Sequence, residues 1–189
     1  MLGVDRDFDF AEGEYMNASH LLGGLVLAAV AACAGWSAPS TPIPDALVPA
    51  EQTQSERAAA RGVQIYECRA TADTPPKLQW VFVAPQADLF DRDGKQIGTH
   101  YAGPTWQSSD GSKIVGSVKA RADAPRAGAI PWLLLTTAPA GSSGRVSKVA
   151  YVQRINTVGG AAPETPCDAS TPGTSARVPY TADYVFLSP

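Results

Sequence analysis

Residues 178–186, VPYTADYVF, are the stretch on which the fold reading turns. Val178, Tyr180, Ala182, Tyr184 and Phe186 stand at every second position, so an extended chain puts all of them on one side and Thr181 and Asp183 on the other. A helix would scatter the same residues around its axis. Earlier in the chain the same period recurs. Leu78, Trp80 and Phe82 alternate with Gln79, Val81 and Val83, a strand apolar on both sides, and IPWLLL (residues 130–135) is a second such run. Ile114, Gly116 and Val118 alternate with Lys113, Ser117 and Lys119, as a half-exposed strand should. In residues 146–156, Val149, Tyr151 and Ile155 fall on one face, which sets Arg154 and Asn156 together on the other. Residues 51–61 are rich in Ala and charge and are followed by Gly62, so propensity predicts a short helix there. After Gly62 no stretch has helical periodicity.

Turn chemistry sharpens the pattern. Asp93-Gly94 and Asp110-Gly111 each lie between apolar runs, the signature of a two-residue type I′ hairpin. That geometry sets Phe90 opposite Ile97 and Trp106 opposite Val115. Short strands punctuated by Gly and Pro, with no βαβ alternation, predict an all-β fold: an antiparallel β-sandwich or partly closed barrel with Greek-key-like connections, in one domain.

The ends of the chain differ in composition. Residues 1–32 hold Asp5, Asp7, Asp9, Glu12 and Glu14 against Arg6 alone; without them, 18 acids and 15 bases become 13 and 14. A nearly neutral chain, 17% charged against a typical value of about 25%, offers no electrostatic footprint for nucleic acid. The apolar run LLGGLVLAAVAA (residues 21–32) is too short to span a bilayer and reads as the core of a signal peptide over residues 1–34. Met16 immediately precedes it and is the favoured start. Ala32-Cys33-Ala34 supplies a cleavage site before Gly35, and Val30-Ala31-Ala32-Cys33 alternatively makes Cys33 a candidate lipidation site, the single expected route to a membrane. Pro39, Pro42, Pro44 and Pro49 mark residues 35–55 as an extended tether, with the β-rich domain over residues 56–189. The expected location is outside the cytoplasm: periplasmic, cell-surface or secreted.

With Cys33 removed or lipidated, Cys68 and Cys167 remain, an even pair that in an exported chain reads as a disulfide, the alternative being two buried thiols. His20 leaves with the signal, so His100 is the single mature histidine and a multi-His metal site is excluded by counting. Neither a metal nor a cofactor is expected.

The blocks GVQIYEC (62–68), GTHYAGPTW (98–106) with DGS (110–112), IPWLLL (130–135), YVQRINTVGG (151–160) followed by Cys167, and VPYTADYVF (178–186) occur in this order. Over about 125 residues they resemble a family of exported bacterial and fungal proteins catalogued as a domain of unknown function. The resemblance implies export, a single domain and the disulfide, and carries no catalytic residues. Some fungal members bear the label malate dehydrogenase. No G-x-G-x-x-G follows a strand here and no βαβ unit is readable to hold a dinucleotide, so the residues do not support that label.

Candidate chemistry gathers in these blocks. His100, Tyr101, Trp106, Arg154, Asn156, Tyr180 and Asp183 combine aromatic faces with hydrogen-bonding and charged groups, which suits a small polar or carbohydrate-like ligand, or an envelope component, bound without catalysis. The alternative is a secreted hydrolase using His100 with Asp110 or Asp183 and a serine among Ser108, Ser109 and Ser112, or using a pair of aspartates. Asp91-Arg92-Asp93-Gly94 resembles part of a calcium loop but lacks the later oxygen ligands, and is expected to be a turn. Gly159-Gly160 and the glycines at 141 and 144 are expected to be loop glycines rather than an anion cradle.

Overall fold

A computed structural model describes residues 41–168 and 172–189. The signal segment, the Met16 start and Cys33 lie outside the described residues. Eight strands follow one another: β1 (Thr53–Ala70), β2 (Leu78–Phe90), β3 (Gln96–Tyr101), β4 (Thr105–Ser108), β5 (Lys113–Ala122), β6 (Trp132–Pro139), β7 (Tyr151–Gly159) and β8 (Ser175–Ser188). Each pairs antiparallel with its neighbour in sequence, and β8 pairs back onto β1, so one sheet closes into a barrel. The all-β, antiparallel, single-domain expectation holds in its barrel form, with two refinements. Closure is complete, and the connections run up and down in sequence order rather than as a Greek key.

Where a helix was expected, β1 runs instead. Ala58 and Ala60 point inward and are buried, while Arg57 and Arg61 point out. Alanine's helical preference is a weak prior, and here β1 finds partners along both edges, β8 on one side and β2 on the other.

Both Asp-Gly turns also depart from expectation, in the same way. Gly94 N–H donates to the Asp91 carbonyl (3.1 Å) and Gly111 N–H to the Ser108 carbonyl (3.0 Å). Only the glycines have positive φ, 80° and 88°, whereas a type I′ turn needs positive φ at the aspartates too. Each is therefore a type I turn ending in a left-handed glycine, one residue longer than the I′ loop. The aspartates beside the turns stabilise it: Asp91 Oδ1 accepts from the N–H groups of Asp93 and Lys95, and Asp110 Oδ1 from the N–H and hydroxyl of Ser112. The extra residue moves the register, so Phe90 faces Gln96 rather than Ile97, and Trp106 faces Ile114 rather than Val115. Beyond a bulge, Leu89 opposite Gly98 and Ala87 opposite His100 restore the expected frame in the first hairpin.

The apolar residues form two clusters. Ala58, Leu89, Ile97, Ile114, Val146, Val149, Val152 and Phe186 fill one part of the barrel interior with Trp106 and Tyr184. Gly116 makes room for this packing, since a Cβ there would lie 2.8 Å from the Trp106 ring. Outside the wall, Trp132, Leu134, Ile155, Val185 and Leu187 are covered by Leu47, from a short 3-10 turn at Asp45–Leu47. Gln153 Nε2 donates to the Leu47 carbonyl (2.6 Å) and pins this strap. Part of the stretch read as a tether thus lies docked on the barrel, because Ile43 and Leu47 are apolar and the outer face of β6–β8 offers an apolar surface. Val149 precedes β7 and turns inward, so it parts from Tyr151 and Ile155, which face out.

Cys68 and Cys167 form a disulfide, with Cα atoms 5.6 Å apart. It links the end of β1 to the segment after β7, where the Trp80 indole N–H also donates to the Thr165 carbonyl (3.0 Å).

Candidate functional site

Unequal strand lengths open the barrel wall. β3 and β4 are short, and β2 pairs with β3 only through Ala87, Asp88, Leu89 and Phe90, while β5 pairs with β4 only through Lys113, Ile114 and Val115. Residues 78–86 of β2 and 117–122 of β5 therefore run on past the β3–β4 hairpin with no strand between them. Behind this gap lies a cavity of about 590 Å³, within the range of small-molecule sites.

Its floor is aromatic. His100 and Trp106 stack with centroids 4.5 Å apart and an interplanar angle of 18°, and Tyr184 meets both, at 4.9 and 5.5 Å. Strand parity explains the set, since Trp106 pairs with His100 across β3–β4 and Tyr184 belongs to the inward stripe of β8. The walls carry Gln64, Tyr66, Pro85, Ile130, Leu133 and Arg154. Phe82, Val83, Val118 and Arg121 sit around the gap with the turn residues Gly103 and Pro104.

Electrostatics inside are dominated by one cation. Arg154 Nε and Nη2 both donate to the Pro131 carbonyl, at 3.1 and 2.9 Å. Its charge acts on Tyr66, His100, Tyr180 and Tyr184 alike. Burial pushes His100 down to about 3, against the opposing hydrogen bond to Thr105 and with help from Arg154, so the ring is neutral near pH 7. His100 Nδ1 lies 2.9 Å from the Thr105 carbonyl, which can only accept, so Nδ1 carries the proton and Nε2 is left as an acceptor. Burial also raises Tyr180 and Tyr184, whose hydroxyls are 3.3 Å apart.

Two polar groups of the lining are under-satisfied. The indole N–H of Trp106 is buried without a hydrogen-bond partner among the described residues, and the amide nitrogen of Gln64 reaches the Tyr180 hydroxyl only in poor geometry. A buried donor without a good acceptor costs about 1–3 kcal/mol.

The expected site residues divide across the wall. His100, Trp106 and Arg154 line the cavity, and Tyr180 lies in the same interior beside Tyr184. Tyr101, Asn156 and Asp183 are on the outer face. Tyr101 donates to Gln107 (2.9 Å), while Asp183 accepts from Arg57 (2.6 Å) and from Asn156 Nδ2 (2.8 Å). Asn156 parts from Arg154 because it adopts a left-handed φ of 52° in a bulge between Ile155 and Val158, which shifts the strand's parity. The residues named for a triad are likewise separated. His100 bonds a backbone carbonyl, Asp183 faces outward, and Asp110 is held in the β4–β5 turn by Ser112 and the Arg145 N–H, which keep its carboxyl well below the usual range. Gln64, Tyr66, Leu133 and Tyr184 were not expected in the site. Gln64 left a readable signal, a polar residue in step with Ala58, Ala60 and Tyr66 on the inward stripe of β1.

Fold and cavity together define an eight-stranded up-and-down barrel whose interior is filled in one part and open in another. The chain belongs to the family described as protein of unknown function (DUF3455), whose model matches residues 49–188. No curated protein and no solved structure matches the chain.

Proposed function

We propose that this domain binds a small ligand inside the barrel and performs no catalysis. The observation that carries the reading is a largely apolar cavity of about 590 Å³ lying behind the gap that the short β3 and β4 leave between β2 and β5. Barrels of eight strands have room for one small ligand. The lining shifts the ligand class from carbohydrate-like toward mostly apolar: aliphatic and aromatic side chains such as Leu133, Leu135, Ile130, Pro85 and Phe82 outnumber the polar ones, and each 100 Å² of apolar surface removed from water contributes about 2.5 kcal/mol. Export and anchoring at Cys33 belong to the same proposal, in which the ligand is a component of the cell envelope or its surroundings. The disulfide is compatible with an oxidising compartment, and among the described residues no helix is long and apolar enough to cross a membrane.

Titration with the neutral, apolar fluorophore 1-aminoanthracene tests this reading. Saturable one-to-one binding with a rise in Tm is expected, and Leu133→Trp, which fills the cavity from a partly buried wall position, should abolish both while remaining folded. Absence of saturable binding, or binding indifferent to Leu133→Trp, would remove the cavity as the site.

A further inference from the structure

Within the lining of the cavity the charged residues are Arg121 and Arg154, and no carboxylate lines it. Arg121 is exposed at the gap, whereas Arg154 is half-buried in the wall. Two other arginines have acids to hand, Arg57 with Asp183 on the outer face and Arg145 with Glu56 beside the filled part of the interior. Arg154 has instead the Pro131 carbonyl, which takes two of its five N–H groups and fixes the plane of the guanidinium without neutralising it. Among the described residues no carboxylate pairs with it.

Resting on the reading of the cavity as a ligand site, we infer that the ligand is an amphipathic monocarboxylate whose head pairs with Arg154 and whose apolar body extends toward the gap between β2 and β5. A carboxylate matches the planar fork of a guanidinium, and in a partly desolvated wall such a pair is stronger than in water. One head charge balances one guanidinium, because His100 remains neutral beside it. The apolar body has its place among Leu133, Leu135, Tyr66 and Pro85, and beyond them Phe82, Val83 and Val118 hold exposed apolar surface at the exit.

The test compares decanoate, 1-decanol and acetate on the purified chain by calorimetry and by displacement of 1-aminoanthracene. Decanoate should bind at least tenfold more tightly than decanol, and acetate should bind weakly because it lacks the apolar body. Arg154→Gln should erase the advantage of decanoate and leave decanol unchanged, with Arg154→Lys retaining part of it. Equal binding of decanol and decanoate, or a preference that survives Arg154→Gln, would overturn the anionic head and leave the cavity standing. Binding of neither would defeat the cavity reading itself, and this inference with it. Should Arg154→Gln not fold, the wild-type chain still decides: a carboxyl ¹³C label on decanoate should titrate at lower pH when bound than when free, and an unchanged or raised pKa would refute the pairing.

Discussion

Ala58, Leu89, Ile97, Ile114, Val146 and Phe186 occupy one part of the barrel interior with at most 6% of any of them exposed, whereas at the gap Phe82, Val83 and Val118 are 50%, 44% and 59% exposed. Both regions draw on β2 and β5, so the contrast is not one of apolar content. It follows from pairing. Where β3 and β4 stand between β2 and β5 the wall is continuous and the side chains inside meet across a small space; where β3 and β4 have ended, inward side chains face a void. The filled part gains close packing, and the hollow part keeps apolar surface in contact with water, which lowers stability unless something covers it.

The disulfide is the strongest lever on the hollow region, because it ties the β1 end that carries Tyr66 and Cys68 to the segment after β7. Replacing Cys68 and Cys167 by Ala should lower stability by about 4–5 kcal/mol in the chain-entropy model for a closed loop of about 100 residues, measured by urea unfolding under non-reducing conditions. A loss below about 1 kcal/mol would mean that the hollow region needs no clamp. In the filled region, Phe186→Ala should cost about 3–5 kcal/mol by the same assay, since Phe186 is 2% exposed and its neighbours cannot collapse freely.

The floor between the two regions predicts a pH dependence. His100 has a folded value of about 3 against an ordinary 6.5, so between these values the unfolded chain takes up a proton that the native state refuses. Stability from this group is complete above about pH 6.5 and declines as the pH falls toward 3, by about 2 kcal/mol between pH 6.5 and 4.5. Asp110 is also depressed, but its contribution is lost only below the ordinary carboxylate range, outside that interval. His100→Asn should flatten the profile between pH 4.5 and 6.5; a profile unaltered by that change would place the titration elsewhere. The smallest effects belong to the gap. Phe82→Ala and Val118→Ala should each change stability by less than about 0.5 kcal/mol, as expected of half-exposed positions, yet weaken 1-aminoanthracene binding several-fold. A core-sized loss of stability at either would erase the distinction between the two regions.

Much of this was legible from residue order. The stripe Tyr180, Ala182, Tyr184 and Phe186 is the inward face of β8, and the stretches around Leu78, Ile114 and Leu133 became β2, β5 and β6. Three of the candidate site residues, His100, Trp106 and Arg154, line one cavity although they come from β3, β4 and β7. Asn156 departs from the face of Arg154, where strand parity alone would set it, because a bulge with a left-handed non-glycine residue leaves no periodic trace. The turns were recognised as turns, but Asp-Gly serves both the I′ loop and the type I loop with a left-handed glycine, and the choice between them moved Trp106 by one partner.

Local chain chemistry by itself determined most of the strands, the positions of the turns and which cysteines could pair, because side-chain alternation, turn propensity and cysteine count act over a few residues or by counting alone. Tertiary structure alone decided the rest: that β8 returns to β1, that residues 53–61 extend rather than coil, that Leu47 docks on the outer wall, and that β3 and β4 stop short and leave a cavity. Each of these depends on a partner distant in sequence. A strand edge, an apolar patch or an unneutralised Arg154 acquires its meaning only from what the closed barrel places, or fails to place, beside it.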